Sequence, residues 1–168
     1  RRRRVDVERL EADVNAFAEG AVEVEDLRLA THEMVEQVKT LDAAKRYRAT
    51  VAFDGDVDEA ALADAVAELD GRTIAQYTPE RVDHRRAART RERAVYGIEA
   101  TLDGPHEATV EIHGEGGLYV KELVSGADGR PEPSLAGLLG VGAAVRALDV
   151  LAVEAEGDER FADEAFLR

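Results

Sequence analysis

The spacing of apolar residues changes along the chain, and each kind of spacing predicts one kind of element. Apolar residues at intervals of three and four predict a helix, whereas strict alternation with polar residues predicts a strand that has one buried face. Helical spacing is found over residues 6–19, around Val35 and Val38, over residues 57–70 and from Leu118 to Val124. Gly20 and Gly71 stand where the first and third of these helices should end.

Alternation predicts the strands. It covers residues 22–29, 47–53, 96–112 and 146–153. Within the third stretch, Asp103-Gly104-Pro105-His106 separates two alternating runs and predicts a hairpin. Strands that pair locally and are interrupted by helices indicate an α+β fold, with a mixed, largely antiparallel sheet on which the helices pack.

Length and composition limit the classes of protein to consider. The chain has 168 residues, of which 45% are hydrophobic, and it contains no apolar run long enough for a membrane span or a secretory signal. We expect a soluble, cytoplasmic domain over residues 1–153 and an acidic tail over 154–168. Cysteine is absent and the four histidines lack metal-ligand spacing, so we expect no metal. The first residue, Arg1, is not a methionine, and we expect the chain to be a fragment.

Negative charge dominates the composition, with 36 acidic against 22 basic residues and a net charge of −14. Only three of the basic residues are lysines, a balance that resembles proteins of salt-loving archaea, in which carboxylates are an adaptation to the solvent. Apart from the four arginines at residues 1–4, positive charge is concentrated in residues 72–93, here called the arginine-rich segment. Seven arginines against three acids give it a local charge of 7 − 3 = +4. We expect this segment to face phosphates.

Three stretches could carry chemistry, and each has a simpler explanation. Tyr47 lies in the stretch that opens the first well-patterned strand, where it could be a core residue with its hydroxyl at the rim. The arginine-rich segment could be a solvated face. The glycines of Gly114-Glu115-Gly116-Gly117 could cradle a phosphate at a helix N-terminus or form only a turn, and Lys121 could be a surface residue.

In this order, the three stretches resemble sequence motifs of pseudouridine synthases. Lys-x-Tyr at 45–47 and Gly-x-Tyr-Val-Lys-x-Leu at 117–123 are similar to the second and third motifs of that family. The longer strings at 76–87 and 114–126 resemble the archaeal and eukaryotic tRNA pseudouridine synthase of the TΨC arm, and the resemblance extends over about residues 22–153. It departs at Tyr77, where an arginine is expected, and at Ala88, where an acidic residue is expected.

The resemblance implies an isomerase that breaks the C1′–N1 bond of a uridine in tRNA and joins C1′ to C5, without a cofactor. It implies that Tyr47 stacks on the target base and assists proton transfer at C5, and that Lys121 pairs with a nucleophilic aspartate. Tyr119 would contribute to the uridine pocket, with Leu123 packing beneath it. The residues implied to bind RNA are Lys45, Arg81, His84, Arg85, Arg86 and Arg89.

The nucleophile itself is not found in the chain. The aspartates upstream of Tyr47 are Asp6, Asp13, Asp26 and Asp42, and none stands in the glycine- and arginine-containing loop that the family uses. The sequence therefore predicts the C-terminal half of a monomeric synthase, with tRNA as partner and half an active site, which is inactive when isolated. The alternative is a non-catalytic α+β module that binds RNA or another partner.

Overall fold

The computed structural model describes residues 5–40, 43–79, 89–127 and 131–154. Its two compact units are residues 5–40 and residues 43–154. Among the described residues, no helix is both long enough and apolar enough to cross a membrane.

The first unit contains two helices, α1 (Val7–Ala18) and α2 (His32–Thr40), both of which the apolar spacing predicts. The strand predicted over residues 22–29 is wrong. Side chains of α1 take the backbone groups that a strand would have paired: the Asn15 amide exchanges two hydrogen bonds of 2.8 Å with the backbone of Val24, and Glu11 accepts one of 3.0 Å from the Leu27 N–H. The stretch is therefore an irregular segment held by α1.

The second unit is built on a five-stranded sheet in the order β2-β3-β4-β1-β5, and every neighbouring pair is antiparallel. This confirms the α+β prediction and the hairpin, which joins β3 to β4. The strands are β1 (Ala44–Phe53), β2 (Thr73–Tyr77), β3 (Thr90–Gly104), β4 (Glu107–Gly114) and β5 (Ala143–Glu154). Alternation did not reveal β2, because one of its two buried positions holds a polar residue, Gln76.

The helices described in this unit cover one face of the sheet: α3 (Glu59–Leu69), α4 (Val120–Ser125) and α5 (Leu135–Leu139). They pack on alternate residues of the strands, and the core forms between the two layers. Its fully buried members include Ala49 and Val51 of β1, Ile112 of β4, Leu69 of α3 and Leu123 of α4. The five-residue α5 was not predicted, because it is too short to show helical spacing.

The other face of the sheet, here called the polar face, carries charged side chains that pair across strands. Arg48 donates to Glu111 at 2.8 Å, and Arg46 donates to Glu154 at 2.7 Å. The second oxygen of Glu154 lies 2.8 Å from the Nε2 of His113, whose ring meets that of Tyr96 edge-on. The predicted tail began at residue 154; Glu154 is the last residue of β5, and residues 155–168 lie outside the described residues.

Candidate functional site

Tyr47 lies on β1, opposite Ile112 of β4 on one side and Val150 of β5 on the other. It shares the core side of the strand with Ala49 and Val51, but it is only half-buried, because it stands at the end of the row. Burial raises the pKa of its phenol above the ordinary value. The hydroxyl is therefore a neutral hydrogen-bond donor through the physiological pH range, on a ring whose other end packs against the core.

Packing and backbone conformation require glycine at two positions of the turn before α4. A Cβ at Gly114 would meet the Leu118 side chain more closely than real Cβ contacts come. Gly117 has a φ of +83°, a conformation that side chains rarely adopt, and its Cα faces the guanidinium of Arg93. The turn brings Lys121 to the first turn of α4, where its side chain is exposed to solvent.

Tyr119, immediately before α4, is held by a residue that the sequence did not single out. The side chain of Gln76 on β2 accepts a hydrogen bond of 2.9 Å from the Tyr119 N–H and donates one of 3.0 Å to the Tyr119 C=O. Gln76 is 1% exposed. Leu123, one helical turn later, is fully buried, so it can support a pocket only from beneath. In the sequence, the signal for Gln76 is a polar residue at a position where alternation with Ile74 would place an apolar one.

The arginine-rich segment is only partly described. Arg81, His84, Arg85 and Arg86 lie outside the described residues, whereas Arg89 is exposed just before β3. Thr78 closes the base of the segment, because its N–H and hydroxyl donate to the Arg89 C=O and its hydroxyl accepts a hydrogen bond of 2.6 Å from Arg91.

Two arginines of this segment form ion pairs with acidic side chains of the protein itself. Arg72 forms an ion pair with Glu68, and Arg93 forms one of 3.2 Å with Glu115. Neither acid was included in the local charge of +4. With these two acids included, the local charge of the segment falls from +4 to +2.

Tyr47 and α4 contact the same core from the same side of the sheet, since Leu118, Val120 and Leu123 pack with the strand residues against which Tyr47 rests. A cavity of about 340 Å³ borders Tyr47, and its wall includes Arg46, Gly97 and His113. Lys121 does not line this cavity, so a single site that joins Tyr47, Tyr119 and Lys121 stays a prediction. Lys45 is half-buried, with its Nζ 3.5 Å from the Ala43 carbonyl.

The described aspartates upstream of Tyr47 have local structural or solvent-facing positions. Asp6 caps α1 by accepting from the Arg9 N–H at 3.1 Å, and Asp13 pairs with Arg9 on the exposed side of that helix. Asp26 is an exposed residue at a bend, with a φ of +54°. Asp42 lies outside the described residues. Within the described part of the chain, no group of three or more acidic or histidine side chains is arranged to hold a metal ion.

The fold is similar to chains of two solved complexes, one of which contains a substrate RNA. A chain of the "Crystal Structure of a Cbf5-Nop10-Gar1 Complex" is 28% identical, with a TM-score of 0.54 over 67% of this chain and 31% of that one. A chain of the "Structure of H/ACA RNP bound to a substrate RNA containing 2'-deoxyuridine" shares the fold at 21% identity, with a TM-score of 0.54 over 88% of this chain and 43% of that one. Each of the two complexes therefore contains a chain with a region of this α+β architecture.

Sequence comparison then assigns the family. The chain belongs to the family described as "Pus10, C-terminal", whose sequence model matches residues 1–154. A Halorubrum lacusprofundi protein named "tRNA pseudouridine synthase Pus10" is 71% identical over all of this chain and 39% of its own length. A protein of the same name from Archaeoglobus fulgidus is 45% identical over 91% of this chain and 42% of its own length. The chain thus spans about two fifths of the length of these relatives. The Halorubrum relative agrees with the expectation that the acidic composition is that of a salt-loving archaeon.

Proposed function

We propose that this chain is the C-terminal part of a tRNA pseudouridine synthase that acts on the TΨC arm. The observation that carries the proposal is the match of the whole chain to the C-terminal part of a relative of that name, at 71% identity. The placement of Tyr47 and α4 against one core supports it, because both motifs implied by the resemblance lie on one side of the sheet. A tRNA substrate places the enzyme in the cytoplasm.

The reaction is an isomerisation, so its atoms balance within the uridine. The N1–C1′ bond breaks, the C5–C1′ bond forms, the proton on C5 leaves, and N1 gains a proton. The nucleophilic carboxylate is supplied by the part of the protein that precedes this chain, since the described aspartates before Tyr47 have other positions.

The residues of this chain act around that carboxylate. Tyr47 offers a flat ring for stacking and a neutral hydroxyl that serves in proton transfer at C5. Lys121, on an exposed first turn, keeps the carboxylate ionised by its positive charge. Tyr119 lines the uridine pocket above the buried Leu123. The residues that contact the phosphates of the arm, and position it without reading sequence, are Lys45, Arg81, His84, Arg85, Arg86 and Arg89.

The test compares this chain with a long form, in which the part of the Halorubrum relative that precedes the match is fused to residue 1. Both are incubated with transcribed tRNA in molar KCl, and pseudouridine is mapped chemically. We expect the long form to produce pseudouridine in the TΨC arm, and the 168-residue chain to bind tRNA weakly and produce none.

Two results contradict the proposal in different ways. Pseudouridine made by the 168-residue chain alone shows that its nucleophile lies within the chain. A long form that is folded and binds tRNA but makes no pseudouridine supports the alternative, a non-catalytic RNA-binding module.

A further inference from the structure

Gln76 joins two parts of the second unit that are far apart in the sequence. It lies on β2, 43 residues before Tyr119, and its amide group bonds to both the N–H and the C=O of that residue. A side chain that satisfies both backbone groups of one residue fixes the orientation of the backbone there as a strand partner does. Burying a glutamine at 1% exposure is costly unless its amide is bonded in this way.

The backbone that Gln76 holds leads directly into α4. Tyr119 precedes the first residue of the helix, and the Tyr119 C=O also accepts the first intrahelical hydrogen bond, 2.9 Å from the Leu123 N–H. The direction in which α4 begins, and with it the place of Lys121, depends on the backbone that Gln76 orients. The side chain of Tyr119 does not cap this six-residue helix, so Gln76 supplies an anchor that the N-cap residue itself does not.

The residue that follows β2 has a separate set of hydrogen bonds. Thr78, two residues after Gln76 and just beyond the end of β2, bonds to Arg89 and Arg91. Gln76 and Thr78 are both buried, at 1% and 2% exposure. Gln76 and Thr78 therefore make separate contacts: Gln76 bonds to the backbone that precedes α4, and Thr78 bonds to Arg89 and Arg91.

This inference rests on the proposed function. We propose that Gln76 is a positioning residue, which holds Lys121 and Tyr119 in the positions that the reaction requires without contacting the uridine. A catalytic group misplaced by about 1 Å costs on the order of 10²-fold in rate. RNA affinity comes instead from phosphate contacts made elsewhere. Losing Gln76 should therefore lower kcat and leave KM for tRNA nearly unchanged.

The experiment uses the long form with Gln76→Met, which keeps the shape of the side chain but can neither donate to nor accept from Tyr119 at that distance. We expect kcat to fall about 10²-fold with KM within about twofold of the parent. The matched control is Ile74→Val, at the neighbouring buried position of β2, which shortens the core side chain without touching Tyr119. It should lower the melting temperature but keep the kcat of the parent.

A double-variant cycle separates positioning from general loss of structure. If Gln76 acts through α4, the loss in the double variant Gln76→Met/Lys121→Ala should be smaller than the product of the two single losses, because one of the two positioned groups is already gone. Fully multiplicative losses, or a Gln76→Met enzyme with the kcat of the parent, would overturn the inference.

Hydrogen exchange at the Tyr119 amide tests the contact without activity. We expect this amide to exchange faster in Gln76→Met than in the parent, and at the parent rate in Ile74→Val. Parent-like exchange in Gln76→Met would overturn the inference. If the parent long form itself makes no pseudouridine, the proposed function fails, while the exchange experiment still decides whether Gln76 orients Tyr119.

Discussion

At the scale of single residues, Tyr47 shows how the end of a buried row leaves a core-side ring partly exposed. Alternation places its ring on the core side, and its place at the end of the buried row leaves it half-buried. The result is a phenol with an apolar support and a pKa raised by burial. The packing of the ring agrees with the first explanation that the sequence allowed, a core residue, and the stacking role stays part of the proposed function.

Replacing Tyr47 by phenylalanine in the long form removes the hydroxyl and keeps the stacking ring. We expect tRNA binding to be retained and kcat to fall by about 10²–10⁴-fold, the usual contribution of a positioned acid or base. Tyr96→Phe is the matched control, since that tyrosine is 52% exposed and its ring lies against His113 on the polar face. Single-turnover rates and filter binding measure the two effects, and a Tyr47→Phe enzyme with the parent rate would contradict the assigned role.

At the scale of elements, the polar face shows how the ends of three strands are tied together. Glu154 of β5 accepts from Arg46 of β1 and lies beside His113 of β4, so one carboxylate bridges the strands on both sides of β1. The hydrogen bond from Arg46, with a further contribution from His113, holds the pKa of Glu154 below its ordinary value. A carboxyl group whose pKa is lower in the folded than in the unfolded state stabilises the fold above its unfolded pKa.

The stabilising effect of Glu154 should therefore disappear in acid. Its contribution is complete above the ordinary glutamate pKa of 4.5 and is lost as the pH falls through the lower folded value. We expect Glu154→Gln to be less stable than the parent at pH 7, and the difference in unfolding free energy to shrink as the pH falls below the pKa of the free carboxyl. Denaturant unfolding of the chain at constant KCl measures this.

Glu107→Gln, at an exposed position of β4, is the matched control for Glu154→Gln. It should change stability little at any pH. A difference between the parent and Glu154→Gln that stays constant from pH 7 into the acid range would contradict the linkage.

At the scale of the whole molecule, acids elsewhere in the chain pair with some arginines of the arginine-rich segment. Arg72 and Arg93 are used by Glu68 and Glu115 within the protein. Arg85 and Arg86 lie outside the described residues, and we propose that they contact RNA phosphates. In a chain with a net charge of −14, nonspecific attraction to RNA is weak, so contacts from these arginines should dominate the dependence of affinity on salt.

Replacing Arg85 and Arg86 together by alanine should therefore reduce the slope of log affinity against log salt by roughly 0.7–0.9 for each phosphate that the protein no longer binds. The effect should be visible at the low end of a KCl series and small at molar salt, where screening is strong. Arg72→Ala, which removes an arginine already paired with Glu68, is the control and should leave the slope unchanged. An Arg85→Ala/Arg86→Ala slope equal to that of the parent would remove these two residues from the RNA interface.

The sequence by itself determined the elements whose side-chain pattern is local: α1, the hairpin of β3 and β4, and the alternation of β1 that puts Tyr47 on the core side. Apolar periodicity is visible within a short stretch of sequence, so these predictions needed no knowledge of which elements pack together in space. The order of the strands, the pairing of Arg48 with Glu111 and the role of Glu154 depended on which strands meet. β2 shows the difference most clearly, since Gln76 looks misplaced in an apolar pattern until the fold brings Tyr119 beside it, 43 residues away along the chain. A buried polar side chain is stable only with its partners, and those partners are chosen by tertiary structure.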